Sequence, residues 1–120
     1  MGMKIITKDI PIYFGYLRIV ITKDFDKACK KLKVKTNGLD VKNYGALVLE
    51  TDFTKNGCFR YTIMLPRNAS PQLISHESVH LVNNIFLNCN IQLDRHNDEP
   101  QAYLTGWFVS EINKALKKSK

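Results

Sequence analysis

The chain has 120 residues, 44% apolar and 24% charged, with a formal net charge of +7 at pH 7. That length and balance point to one domain over residues 1–120, with a single hydrophobic core that needs no disulfide or metal staple. No window approaches the roughly 18 uncharged apolar residues that span a bilayer, so no membrane partner is expected.

The positive charge is unevenly placed. Lys23 to Lys35 holds six lysines against Asp24 and Asp26, and the last ten residues hold four lysines against Glu111. Residues 41–110 carry five basic and six acidic side chains and are nearly neutral. Lysine on solvated helix faces explains this pattern, and no Arg-rich or aromatic-interleaved stripe suited to gripping single strands is present. Nucleic acid is therefore not the expected partner. Cys29, Cys58 and Cys89 are odd in number and widely spaced, which fits three reduced thiols in a cytoplasmic protein rather than a disulfide framework. The sequon Asn68-Ala69-Ser70 matters only in a secreted chain and is set aside.

In chain order, Ile10 to Thr22 is rich in β-branched and aromatic residues and predicts a strand. Its apolar run is interrupted by Arg18 and followed by no small-residue cleavage site, so it is expected to be a strand rather than a secretory h-region. A helix is expected over Asp24 to Val34, capped by Thr22 or Asp24, because Phe25, Ala28, Cys29 and Leu32 fall at i, i+3, i+4 and i+7. Thr36 to Asn43 reads as a polar loop. Tyr44 to Asp52 and Gly57 to Leu65 read as two strands joined by Phe53-Thr54-Lys55-Asn56, with Asn56-Gly57 as the turn signal. Phe59, Tyr61, Ile63 and Leu65 alternate with Cys58, Arg60, Thr62 and Met64, the pattern of a sheet with one buried face. Pro66 ends that strand. Ser70-Pro71 then opens a helix reaching Leu87–Cys89, and Pro100 opens a last helix to about Lys117. The expected class is α+β in the order βαββαα, a small sheet packed on two C-terminal helices.

The first of those helices contains His76-Glu77-Ser78-Val79-His80, an HExxH motif. On a wheel of about 100° per residue with His76 at zero, His80 falls near 40° and Glu77 near 100°. Ile74, Leu81, Val82, Ile85, Phe86 and Cys89 occupy the opposite sector, from about 140° to 280°. One face is therefore expected to meet the core and the other to present two imidazoles and a carboxylate. An i,i+4 histidine pair converges on one Zn²⁺, leaving positions for a third protein ligand and a water. Glu77 adjoins His76 too closely to be that third ligand, and it is placed to take a proton from the metal-activated water. Asp98, Glu99 and His96 lie sixteen to nineteen residues beyond His80. Glu99 is the expected third ligand because it directly precedes Pro100 on a rigid element; His96 is the alternative, and Asp98 competes as a ligand or caps the helix. Tyr103, one turn after Glu99, is expected either to stabilise a tetrahedral intermediate or to pack against the histidine helix.

With these residues the sequence resembles a zincin of the gluzincin branch, which takes a glutamate as third ligand. Glu99-Pro100-Gln101-Ala102 is similar to the E-x-E/Q-A helix start that follows HExxH in ImmA/IrrE-type peptidases, with Gln101 where a second glutamate is more usual. Ala102-Tyr103-Leu104-Thr105-Gly106-Trp107 is similar to the A-Y-L-x-G-W continuation of short peptidases encoded by phages and mobile elements. The resemblance covers residues 70–112. It implies a zinc metallopeptidase with His76, His80 and Glu99 as ligands and Glu77 as general base, acting in the cytoplasm, that of the host if phage-encoded. It also implies a peptide substrate added to an exposed edge of one of the strands 44–52 and 57–65. A regulatory protein partner would supply specificity that so short a chain lacks. The competing readings are a catalytically inactive zincin-fold module that binds a protein, and a small basic nucleic-acid-associated protein.

Overall fold

The computed structural model describes residues 2–34, 40–41 and 44–119. The chain opens with a hairpin of β1 (Lys4–Asp9) and β2 (Tyr16–Ile21), antiparallel, with Lys4 opposite Ile21 and Asp9 opposite Tyr16. The connection is closed by the Ile10 N–H donating to the Gly15 carbonyl at 3.0 Å. Gly15 has φ 109°, and a Cβ there would stand 2.9 Å from the Phe59 carbonyl oxygen, so both backbone angle and space demand glycine. Helix α1 (Phe25–Lys31) follows, capped by Asp24, whose carboxylate accepts the Lys27 N–H at 2.9 Å.

The remaining strands are β3 (Leu47–Val48), β4 (Asp52–Phe53) and β5 (Phe59–Leu65). β5 lies parallel to β2, with Ile19 opposite Ile63, and antiparallel to both β3 and β4. The sheet order is β1-β2-β5-β3, with β4 pairing β5 beyond β3. Leu47 faces Met64 and Val48 faces Ile63, but Asp52 faces Arg60 and Phe53 faces Phe59. The register has moved by one residue between the two pairings, a bulge in what is otherwise one edge strand. Two helices complete the chain, α2 (Pro71–Asn88) and α3 (Glu99–Lys118). Ser70 caps α2 by accepting the Leu73 N–H at 3.2 Å, with Pro71 in the first turn.

The architecture is α+β, but the order is ββαβββαα rather than βαββαα. The extra first strand has a largely exposed outer edge and two lysines, which masked its strand character. The strand expected over Tyr44–Asp52 is divided by the bulge. The turn before β5 holds Gly57 at φ 82°, where the Asn-Gly signal placed it. The loop expected over 36–43 lies outside the described residues, apart from Asp40 and Val41.

The sheet separates two apolar clusters. On one face Leu17, Ile19, Ile21, Tyr61, Ile63 and Leu65 meet α2 (Ile74, Leu81, Val82, Ile85, Phe86) and α3 (Leu104, Phe108, Ile112, Ala115). On the other, Val20, Leu47, Leu49 and Met64 meet Phe25, Ala28 and Cys29 of α1. β5 is thus covered on both faces, where its alternation predicted one, because α1 packs over the second. Among the described residues no helix is long and apolar enough to cross a membrane.

Candidate metal centre

Helix α2 divides its faces as its apolar periodicity requires: Ile74, Leu81, Val82, Ile85 and Phe86 are buried, while His76 and His80 are exposed. The two imidazole Nε2 atoms stand 3.3 Å apart. Two ligands of a tetrahedral zinc at 2.0–2.1 Å are separated by about 3.3–3.4 Å, so the pair is spaced as the edge of such a site. The Glu77 Oε2 is 3.7 Å from His76 Nε2, and one ligand atom from each of His76, Glu77 and His80 lies within 4.8 Å of the others. The donor set fits a borderline-soft divalent cation of the zinc type.

Glu77 departs from the wheel. It sits at the boundary of the polar arc and is turned inward, only 5% exposed. Its carboxylate accepts the backbone N–H of Val48, so the helix and the edge strand are tied at this point. Burial raises its pKa above the ordinary carboxyl value; the neighbouring imidazoles of His80 and His76 and the Val48 hydrogen bond pull the other way. A buried carboxyl of raised pKa beside two imidazoles could exchange a proton with a group held between them.

These groups open onto a cleft of about 710 Å³ between α2 and the strand segment 44–48. Leu49 donates its N–H to Thr62 on β5 at 2.9 Å. Alternation along the strand therefore turns the Val48 and Ala46 backbone groups away from the sheet, toward the cleft. The bulge just beyond releases the chain from β5's register and limits this free edge to a few residues.

The expected third ligand is not brought in. Glu99 opens α3 and is exposed, and it does not belong to the group formed by His76, Glu77 and His80. The segment 89–98 carries the chain past the end of α2 before α3 begins, and no α3 residue lines the cleft. His96 and Asp98 are likewise exposed and outside the group, and the Asp98 side chain makes no capping hydrogen bond. Tyr103 is 54% exposed on α3 and is not in the cleft either. The cleft also takes in polar side chains that the motif does not include, among them Asn84 and Tyr44. Asn84 follows His80 by one turn and was legible from that spacing; Tyr44 reaches the cleft only through the tertiary fold. Comparison with protein-family models, curated proteins and solved structures finds no match for the chain.

Proposed function

We propose that the protein is a zinc-dependent peptidase whose centre is built on His76, Glu77 and His80. The observation that carries the reading is the 3.3 Å Nε2 separation beside a buried carboxylate, in a cleft bordered by a free strand edge. His76 and His80 hold the ion. Zinc, when bound, lowers the pKa of a coordinated water toward about 7 and polarises the scissile carbonyl. Glu77 accepts the proton of the attacking water and passes it to the leaving amine. Its bond to the Val48 N–H helps to fix the carboxylate orientation.

A peptide laid along the cleft adds to the edge at Ala46, where main-chain hydrogen bonds set its register, while the Val48 N–H stays with Glu77. Tyr44, which lines the cleft as Tyr103 does not, would be the phenol that donates to the developing oxyanion. Among the described residues no further protein ligand joins the histidine pair where the gluzincin resemblance implies Glu99. Glu77→Gln is expected to retain zinc and lose cleavage of a proteome-derived peptide library by at least about 100-fold. Equal turnover by wild type and Glu77→Gln would refute the assignment of the base.

The placement of Glu99 and Tyr103 outside the cleft favours a second reading, a zincin-like module that binds a peptide without cutting it. The two separate on one result: wild-type protein that captures library peptides along the cleft and leaves every one intact is the module.

A further inference from the structure

The four most exposed large apolar side chains among the described residues are Phe14 (84%), Leu87 (78%), Ile12 (71%) and Phe53 (60%). They stand on three segments far apart in sequence: the connection between β1 and β2, β4, and the last turn of α2. Direct contacts tie these segments together at the end of the sheet where β2 and β5 begin. Tyr13, between Ile12 and Phe14, sets its ring 6.0 Å from that of Phe86, the neighbour of Leu87. Gly15 abuts Phe59, whose ring lies 5.2 Å from that of Phe53. Asn88 donates to the Thr51 and Tyr61 hydroxyls, both at 3.2 Å, and so holds the end of α2 beside β4. The molecule therefore has an apolar pole.

Two of the four residues are held there against backbone preference. Ile12 has φ 69° and Phe14 φ 57°, the left-handed region that glycine and asparagine enter most readily. A β-branched residue is an outlier in that conformation, and both side chains face water. Residues that suit neither their backbone nor their exposure point to a use for the side chains themselves.

Charge and area select the occupant. The segments 10–15, 53–57 and 87–99 carry Lys55 and Arg95 against Asp94, Asp98 and Glu99, a net −1 in a chain of +7. Lysines elsewhere make two copies repel each other, and at this end they can meet without that cost. The same scarcity of cations leaves little to hold an anionic lipid surface. The four residues expose roughly 550 Å², so two copies joined here bury roughly 1,100 Å² through them alone, above the about 1,000 Å² that a specific interface needs. An apolar patch is also complementary to itself, as a two-fold contact requires.

We propose that this pole is the interface of a two-fold dimer of the chain. The dimer stands apart from the peptidase reading. Eleven residues of α2, about 16 Å, separate Leu87 from His76, so the pole and the histidine pair are distinct surfaces.

Sedimentation equilibrium of the full chain from about 2 to about 200 μM tests the proposal, since an interface of this size binds in the micromolar range or tighter. The mass is expected to rise with concentration from 13.8 kDa toward twice that value. Ile12→Asn with Phe14→Asn should weaken association at least tenfold; asparagine suits the left-handed backbone, so the fold should be retained. Leu87→Gln, at an exposed helical position on a different element, should weaken it by a similar factor. Ile5→Gln removes an exposed apolar side chain near the other end of the sheet and should leave association unchanged. A wild-type mass that stays at 13.8 kDa, or that climbs past the dimer, overturns the proposal. A dimer that either pole variant leaves intact overturns it too, as does equal weakening by Ile5→Gln. Co-sedimentation of a monomeric wild type with phosphatidylcholine vesicles would assign the pole to lipid instead.

Discussion

At the scale of single residues, Glu77 is where the structure adds most to the motif. In sequence it is one of three polar groups on an exposed arc. In the fold it is buried, bonded to Val48, and raised in pKa by its surroundings. Replacing a desolvated carboxylate by a neutral amide of the same shape relieves a cost, so metal-free Glu77→Gln should melt at a higher temperature than wild type near neutral pH. A lower melting temperature in differential scanning calorimetry would mean that the carboxylate is held there by interactions stronger than its burial penalty. Tyr44 gives a second test of the cleft. Tyr44→Phe should lower kcat by about 10- to 100-fold with little change in KM, and Tyr103→Phe should change neither. The reverse result would return the oxyanion role to α3. The histidines and Glu77 were legible because five consecutive residues on one helix fix their own relative geometry. Glu99 was not, because its position depends on how far the segment 89–98 carries the chain before α3 starts.

Elements with strong periodicity were read closely, and those set by pairing were not. The α2 face and its Ser70-Pro71 start follow from local chemistry. β1 and the bulge between β3 and β4 follow from which strand lies beside β5, and no local pattern encodes that. Glycines separate the two kinds of constraint. Gly15→Ala meets both a positive φ and the Phe59 carbonyl, and should cost about 2 kcal/mol or more. Gly57 also has positive φ, but nothing lies within 4 Å of an added Cβ, so Gly57→Ala should cost about 1 kcal/mol. Gly106→Ala, inside α3 with open space around it, should stabilise by up to about 1 kcal/mol. Urea denaturation of the three variants should give that rank order; a Gly15→Ala protein as stable as wild type would show that the hairpin connection relaxes freely.

For the whole molecule, two buried acids among the described residues contribute to the alkaline limit. Burial raises the Cys29 thiol, with Asp26 adding to the effect. Burial also raises the Tyr61 phenol, against a hydrogen bond donated by Asn88 at 3.2 Å. Each folded-state value lies above the unfolded one, so each contribution is complete below the unfolded value and is lost as pH rises through the folded one. Stability should therefore fall above about pH 8.5, where unfolded thiols begin to ionise. Denaturation curves between pH 8 and 11 should be less steep in pH for Cys29→Ala with Tyr61→Phe than for wild type, whatever the absolute stability of that variant. Parallel curves would assign the alkaline loss to other groups.

The same logic of linked equilibria applies to the metal. An ion that binds the folded centre and not the unfolded chain raises stability with its free concentration, so zinc should raise the melting temperature of the wild-type protein. The most direct measurement is equilibrium dialysis of purified protein against buffered zinc, with bound metal counted by mass spectrometry. About one zinc per chain is expected in wild type, Glu77→Gln and Glu99→Ala, and none in His76→Ala with His80→Ala. Zinc bound equally by that double variant, or by none of the four proteins, would contradict the metal centre.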